Sequence, residues 1–260
     1  MYGSLKLKIT TQHKQFFNSQ GYVVLKNVLP LSLTEKLSTL CELTSTEFKQ
    51  YSSDELLNRD SFEFNFKYKI AKRIASQHGI QIESKEDWNF RSIFKGNDFD
   101  THPKVQQFLN YLDSSIDLLT ALKFLMDSST VQFYNSHIWK KYARSFDPTE
   151  VHRDYTGLPI DSGSKGVIVW MSPANVSINE SALQVIPGSH LAMGNNKEHT
   201  VDTDYFNRDK YNLVNLEITA CDLIILDLRT QHCATPNISN EDRCAAAMRY
   251  YGDDIVFFKT

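Results

Sequence analysis

Apolar positions along the chain change period near residue 130, and the change divides the sequence into two kinds of territory. Upstream, a short helical stretch carrying Phe16 and Phe17 ends at Gly21, and Tyr22-Val23-Val24-Leu25 reads as a strand. Ser32 stands three residues before Glu35, a capping-box spacing, and Leu33, Leu37, Leu40 and Cys41 follow at helical intervals. From Asp54 to Asp100 no clean period emerges, and that stretch stays unassigned. After Pro103, the positions Val105, Phe108, Leu109, Leu112, Ile116 and Leu119 share one face and predict a single helix of about four turns. Downstream, Val131 to Trp139, Val167 to Met171, Leu223 to Leu226 and Ala245 to Tyr251 are short β-rich segments separated by Gly, Pro, Asn, Asp and Ser clusters. Many short strands with turn signals predict a sandwich, jelly roll or barrel rather than a parallel sheet with crossover helices. No internal repeat and no Pro/Gly-rich linker interrupts the chain. The expectation is one domain over residues 1–260, helix-rich to about 128 and β-rich from about 129.

Composition narrows the classes of function. A chain of 260 residues with 41% apolar and 12% aromatic residues has ample material for a core and is expected to be a soluble globular protein. The formal net charge of −3 lacks the basic excess of a nucleic-acid binder. The longest aliphatic runs are far too short to span a bilayer. The lysines near the N-terminus have no apolar run behind them, so no secretory signal is expected. The four cysteines, Cys41, Cys221, Cys233 and Cys244, form no C-x-x-C pair. They read as buried free thiols in a reducing, cytoplasmic setting.

Among eight histidines, His13, His78, His102 and His199 lie in polar surroundings and need only a solvated role. His152 differs because Asp154 follows two residues later. In an extended segment the two side chains share a face and can hold adjacent positions on one metal. The tripeptide alone is common and fits a surface pair equally well. Its weight comes from His232, just after the apolar strand that begins at Asp222, and from Arg243, which leads into the last strand. Two histidines and one carboxylate form the facial triad of non-haem Fe(II) oxygenases, which leaves open positions for a bidentate 2-oxo acid and dioxygen. An arginine fork then suits the far carboxylate of that acid.

With these parts in order, the sequence resembles the phytanoyl-CoA dioxygenase (PhyH) family of Fe(II)/2-oxoglutarate oxygenases, from about Phe16 to Tyr251. The opening Phe17-Asn18-Ser19-Gln20-Gly21-Tyr22-Val23-Val24-Leu25-Lys26-Asn27-Val28-Leu29 is similar to the family's F-x-x-x-G-Y-V-V-L-x-x-V-L. Val167 to Met171 leads on to Ser181-Ala182-Leu183-Gln184-Val185-Ile186-Pro187-Gly188-Ser189-His190, similar to the family's G-A-L-x-V-I-P-G-S-H. The segment from Asp222 through His232 and Pro236 to Arg243 and Arg249 matches its C-terminal part. Two departures are Ser181 and Cys221, each where the family has glycine.

The resemblance implies a double-stranded β-helix (a cupin-like jelly roll) with flanking helices. It implies His152, Asp154 and His232 as Fe(II) ligands and Arg243, with Ser239, as the 2-oxoglutarate site. Asn135, His137 and Lys140, on the strand from Val131, are further cofactor-side candidates. Trp170, Tyr155 and Arg249 are candidates for the substrate pocket, and His190 reads as structural. Related halogenases replace the carboxylate with Ala or Gly, so Asp154 favours hydroxylation of an unactivated C–H bond with release of succinate and CO2. A small polar metabolite or natural-product intermediate is the expected substrate, with O2 as co-substrate; the oligomeric state is open. The segments Glu55 to Lys95 and Ala192 to Leu213 are candidate pocket walls. The competing readings are a jelly roll that binds metal or ligand without turnover, and a protein-modifying hydroxylase. The His152-Arg153-Asp154 string also matches a kinase catalytic loop, but there is no D-F-G, and Pro159 stands where that loop needs asparagine.

Overall fold

A computed structural model describes residues 6–47, 58–86, 88, 92–95, 97–154, 164–192 and 211–253. Two antiparallel sheets face each other. The larger contains β1 (Tyr22–Leu25), β2 (Ser92–Phe94), β3 (Val131–Lys141), β5 (Gly166–Met171), β8 (Leu223–Asp227) and β10 (Arg243–Gly252), in the order β1-β8-β5-β10-β3-β2. The smaller contains β4 (Thr149–His152), β6 (Leu183–Val185), β7 (Val214–Leu216) and β9 (His232–Ala234), in the order β4-β9-β6-β7. The chain switches repeatedly between sheets, which is the expected double-stranded β-helix. The helix-rich part supplies strands too, because β1 and β2 form the two edges of the larger sheet. No helix among the described residues is long and apolar enough to cross a membrane.

The apolar runs that carry no clean alternation turn out to be strands buried on both faces. In β5, Val167, Val169 and Met171 face the helices, while Ile168 and Trp170 face the other sheet. In β8, Leu223 and Ile225 take the helix side and Ile224 and Leu226 the inner side. The helical cover comprises α1 (Thr11–Gln20), α2 (Leu31–Glu47), α5 (Pro103–Ser115) and α6 (Leu118–Met126), whose leucines and phenylalanines pack on the outer face of the larger sheet. The unassigned stretch holds α3 (Phe62–Gln77) and the short α4 (Asn97–Asp100). Phe64, Tyr68, Ile74 and Trp88 build a separate cluster there with Phe146.

Two helix expectations fail for local reasons. α2 begins at Leu31, its first hydrogen bonds reaching the Pro30 carbonyl, so Ser32 sits inside the first turn and accepts from the Tyr111 hydroxyl (2.9 Å) instead of capping. The single helix after Pro103 breaks at Ile116, whose φ of −133° and ψ of 145° are extended, and α6 starts at Leu118. The apolar face continues through the break because Ile116 and Leu118 are both fully buried, and periodicity records burial, not hydrogen bonding.

The cysteines also depart from expectation. Cys41 on α2 and Cys244 on β10 form a disulfide, and Cys221 and Cys233 remain thiols. Cys41 continues the Leu33, Leu37, Leu40 face that rests on the larger sheet, and Cys244 lies on the helix side of β10. The pair is separated by 203 residues, so no local spacing could announce it. We expect two reactive thiols in the denatured, unreduced protein and four after reduction. Cys41→Ser should cost about 2–4 kcal/mol in chemical unfolding. Four thiols without reductant would show that the bond does not form.

Candidate active site

The strand pairing itself assembles the two histidines. β4 and β9 run antiparallel with His152 directly opposite His232, and the ring centroids lie 4.3 Å apart. β4 ends at His152, and Asp154 lies just beyond, its carboxylate turned back to the pair. Asp154 Oδ1 is 3.3 Å from His152 Nε2 and 3.7 Å from His232 Nε2. The three ligand atoms lie within 4.8 Å of one another.

Each imidazole is oriented by a backbone carbonyl. His152 Nδ1 faces the Glu150 carbonyl at 2.8 Å, and His232 Nδ1 faces that of Thr230 at 3.0 Å. With Nδ1–H donating there, the Nε2 lone pairs converge on the point that Oδ1 also faces, as a metal centre requires. Ligands in adjacent positions at bond lengths of roughly 2.1 Å sit about 3 Å apart, close to the spacing found here. The donor set therefore fits a divalent iron ion.

The electrostatics of His232 and Asp154 agree. Burial and the neighbouring His152 lower the His232 pKa to about 4, which keeps that imidazole neutral. Burial also opposes protonation of His152, but its contacts with Asp154 and the Glu150 carbonyl outweigh this and raise its pKa. Burial acts to raise the Asp154 pKa, yet Arg249 and both histidines prevail and hold it well below the usual carboxylate range. A buried anion between two imidazoles is a cation site.

Sequence motifs outside the ligand set act as braces. Gly21, at φ +80°, ends α1 and touches Thr230, the residue whose carbonyl orients His232; a Cβ there would fall 2.3 Å from Thr230 Oγ1. Ser189 Oγ accepts from the Gln231 backbone (2.8 Å), and Arg153 donates to the carbonyls of Ser189 (3.0 Å) and Arg229 (2.8 Å). The P-G-S-H segment thus ties the residue after His152 to the residue before His232. His190, read as structural, faces the Asn18 carbonyl through Nε2 (3.0 Å).

A cavity between the sheets joins this centre to Arg243. It is lined by His152, Asp154 and His232, with Trp139, Trp170 and Arg243 among the larger side chains. Along β10, Arg243, Ala245, Ala247 and Arg249 alternate onto the inner side, and the two small alanines leave room between the arginines. The Arg243 guanidinium lies 5.8 Å from the Trp170 ring centre and donates through Nη2 to the Ser181 carbonyl (3.1 Å) and hydroxyl (3.2 Å). Ser181 has a φ of +70°, the left-handed region that explains a glycine at this position in the resembling family. Here the serine adds a hydroxyl contact to the arginine.

Other expected residues fall elsewhere. Lys140 faces away from the cavity and pairs with Asp242 (3.2 Å); by strand alternation it is Lys141 that lines the cavity, donating to the carbonyls of Asp147 and Thr235. That period-two signal was present in the sequence once Trp139 is placed inward. Ser239 is engaged in a turn, donating to Asn237 Oδ1 at 2.8 Å, and does not line the cavity. Asn135 and His137 contact Arg249 rather than Arg243. Arg249 is buried against Asp154. Of the candidate walls, Lys95 feels the charges of Arg249 and Asp154. Tyr155 and most of the Ala192 to Leu213 segment lie outside the described residues.

A double-stranded β-helix holding a two-histidine, one-carboxylate centre between its sheets defines the class of non-haem iron oxygenases. The phytanoyl-CoA dioxygenase (PhyH) family matches residues 17–245, and the chain belongs to that family. Comparison with curated proteins gives no match. Among solved structures, the non-haem α-ketoglutarate-dependent carbocyclase SnoK of nogalamycin biosynthesis is similar, with a TM-score of 0.67 and 21% identity over 96% of this chain and 87% of that one. The epimerase SnoN, in complex with Fe3+, α-ketoglutarate and nogalamycin RO, gives 0.68 and 14% over 95% and 85%. EvdO2 from Micromonospora carbonacea var. aurantiaca, complexed with 2-oxoglutarate, gives 0.60 and 15% over 98% and 95%.

Proposed function

We propose that the protein is an Fe(II)- and 2-oxoglutarate-dependent dioxygenase that hydroxylates an unactivated C–H bond of a small-molecule substrate, releasing succinate and CO2. The observation that carries this is the convergence of His152 Nε2, His232 Nε2 and Asp154 Oδ1 in one cavity with the buried Arg243. His152, Asp154 and His232 hold the iron, and the Glu150 and Thr230 carbonyls keep both rings in the ligating orientation. Bound iron with 2-oxoglutarate and O2 supplies the oxidising equivalent for C–H cleavage. Arg243 binds the C5 carboxylate of 2-oxoglutarate as a charge-assisted fork, held in place by Ser181. Trp139, Trp170, Ile168 and Leu226 give the cavity an apolar wall that excludes water from the reacting centre.

The substrate we favour is a small polar metabolite or natural-product intermediate. SnoK and SnoN belong to nogalamycin biosynthesis, and their activities, carbocyclase and epimerase, show that this fold hosts outcomes besides hydroxylation. The test is succinate release from 2-oxoglutarate with Fe(II) and O2 across a natural-product library, with mass analysis of the products. A product heavier by one oxygen supports hydroxylation. A product lighter by two hydrogens would replace it with ring closure or desaturation. No iron-dependent succinate with any substrate, in protein that binds neither iron nor 2-oxoglutarate, would overturn the assignment.

A further inference from the structure

The two oxygens of Asp154 are used differently. Oδ1 faces both histidine Nε2 atoms, whereas Oδ2 accepts from Arg249 Nε at 2.8 Å and also from its Nη2. Both side chains are buried, with 10% of the aspartate and 8% of the arginine exposed, so water competes little for either. Arg249 is itself held from the far side, where Nη1 contacts Asn135 Oδ1 at 3.2 Å and a His137 ring nitrogen at 3.0 Å. It sits on β10, an interior strand flanked by β3 and β5, opposite Asn135 on one side and Ile168 on the other. The fork is therefore fixed at its base by a sheet and at its tip by two side chains, and its two donors converge on Oδ2 of the carboxylate.

We propose that Arg249 is a positioning residue for the metal centre: by occupying Oδ2 it restricts Asp154 to single-oxygen coordination through Oδ1 and sets the plane in which that oxygen meets the two histidines. This rests on the iron assignment above. A carboxylate free to rotate can bind an ion through both oxygens and fill a position that 2-oxoglutarate or O2 needs. Arg249 prevents this by holding one oxygen in a bidentate contact. The arginine is thereby committed to Asp154, Asn135 and His137 and is not an anchor for substrate. Its neighbour on the same face of β10, Arg243, is directed to Ser181, so one strand supplies one arginine for the cofactor and one for the ligand.

The test is metal binding by the full chain, read without turnover. Anaerobic titration with Fe(II), and the electronic spectrum of the Co(II)-substituted protein, are compared for the parent, Arg249→Met, Arg249→Lys and His232→Ala. Outer partners of metal ligands are worth about tenfold to a hundredfold in metal affinity, and Arg249→Met should weaken Fe(II) by that amount. Arg249→Lys keeps the charge but has no fork. It should still bind Fe(II) more weakly than the parent and show a changed Co(II) band, which mere charge balance would not produce. If both variants bind Fe(II) as tightly as the parent, or more tightly, with the parental Co(II) spectrum, while His232→Ala loses the metal, the positioning role is overturned and the iron assignment stands. If His232→Ala retains the metal, the iron assignment itself fails. Should Arg249→Met not fold, Arg249→Lys carries the same comparison alone.

Discussion

His232→Ala should lose Fe(II) by roughly two orders of magnitude in affinity and show no iron-dependent consumption of 2-oxoglutarate. The reasoning starts from pairing geometry. His232 faces His152 across β4 and β9, and Asp154 Oδ1 closes the set, so among the described residues no other imidazole belongs to the ligand group. Structural zinc sites bind with about 10–16 kcal/mol shared over four ligands, or about 3 kcal/mol per ligand, which converts to roughly a hundredfold. His152→Ala should behave alike. The folded state should survive His232→Ala, because a buried imidazole of low pKa contributes little charge to the core. In the parent protein, adding 2-oxoglutarate to the anaerobic iron complex should produce a weak visible charge-transfer band, and the alanine variants should lack it. Full iron affinity with that band retained in His232→Ala would show that the metal lies elsewhere.

The part of this site that could be read from the sequence is the part that depends on short range. His152 and Asp154 stand two residues apart in an extended segment, and Arg249 and Arg243 share a strand face by the same period. Gly21 could be read as a helix stop, and φ +80° agrees. What could not be read depends on which strands become neighbours. That Arg249 meets Asp154, and that Asn135 and His137 serve Arg249 instead of Arg243, follows from β10 lying beside β3 and reaching across to the end of β4. The Cys41–Cys244 bond depends on where α2 lands on the larger sheet. Lys140 and the cavity-lining Lys141 differ by one position, and in a strand one residue reverses the face. The helix break at Ile116 was invisible for the opposite reason, since burial continues across it while the backbone does not.

Arg243→Met should weaken 2-oxoglutarate binding to the iron-loaded protein by about two to three orders of magnitude while leaving iron affinity in the absence of 2-oxoglutarate close to that of the parent. The guanidinium is buried, lines the same cavity as the ligand triad, and is held by Ser181 and, more weakly, by the Trp139 carbonyl at 3.4 Å. Removing one partner of a buried ion pair costs on the order of 3–5 kcal/mol, and each 1.4 kcal/mol is about tenfold. Some loss of thermal stability is also expected, because the Ser181 carbonyl loses a donor in a buried position. That loss is common to every ligand and cannot mimic the specific effect. The discriminating measurement uses a shorter 2-oxo acid that lacks the second carboxylate. It binds the parent more weakly, since it never reaches the arginine, and it should bind Arg243→Met with nearly unchanged affinity. Equal weakening of both acids would mean that the mutation distorts the cavity as a whole. No weakening of either would remove Arg243 from the cofactor site, and the interaction with Ser181 would then be a structural one.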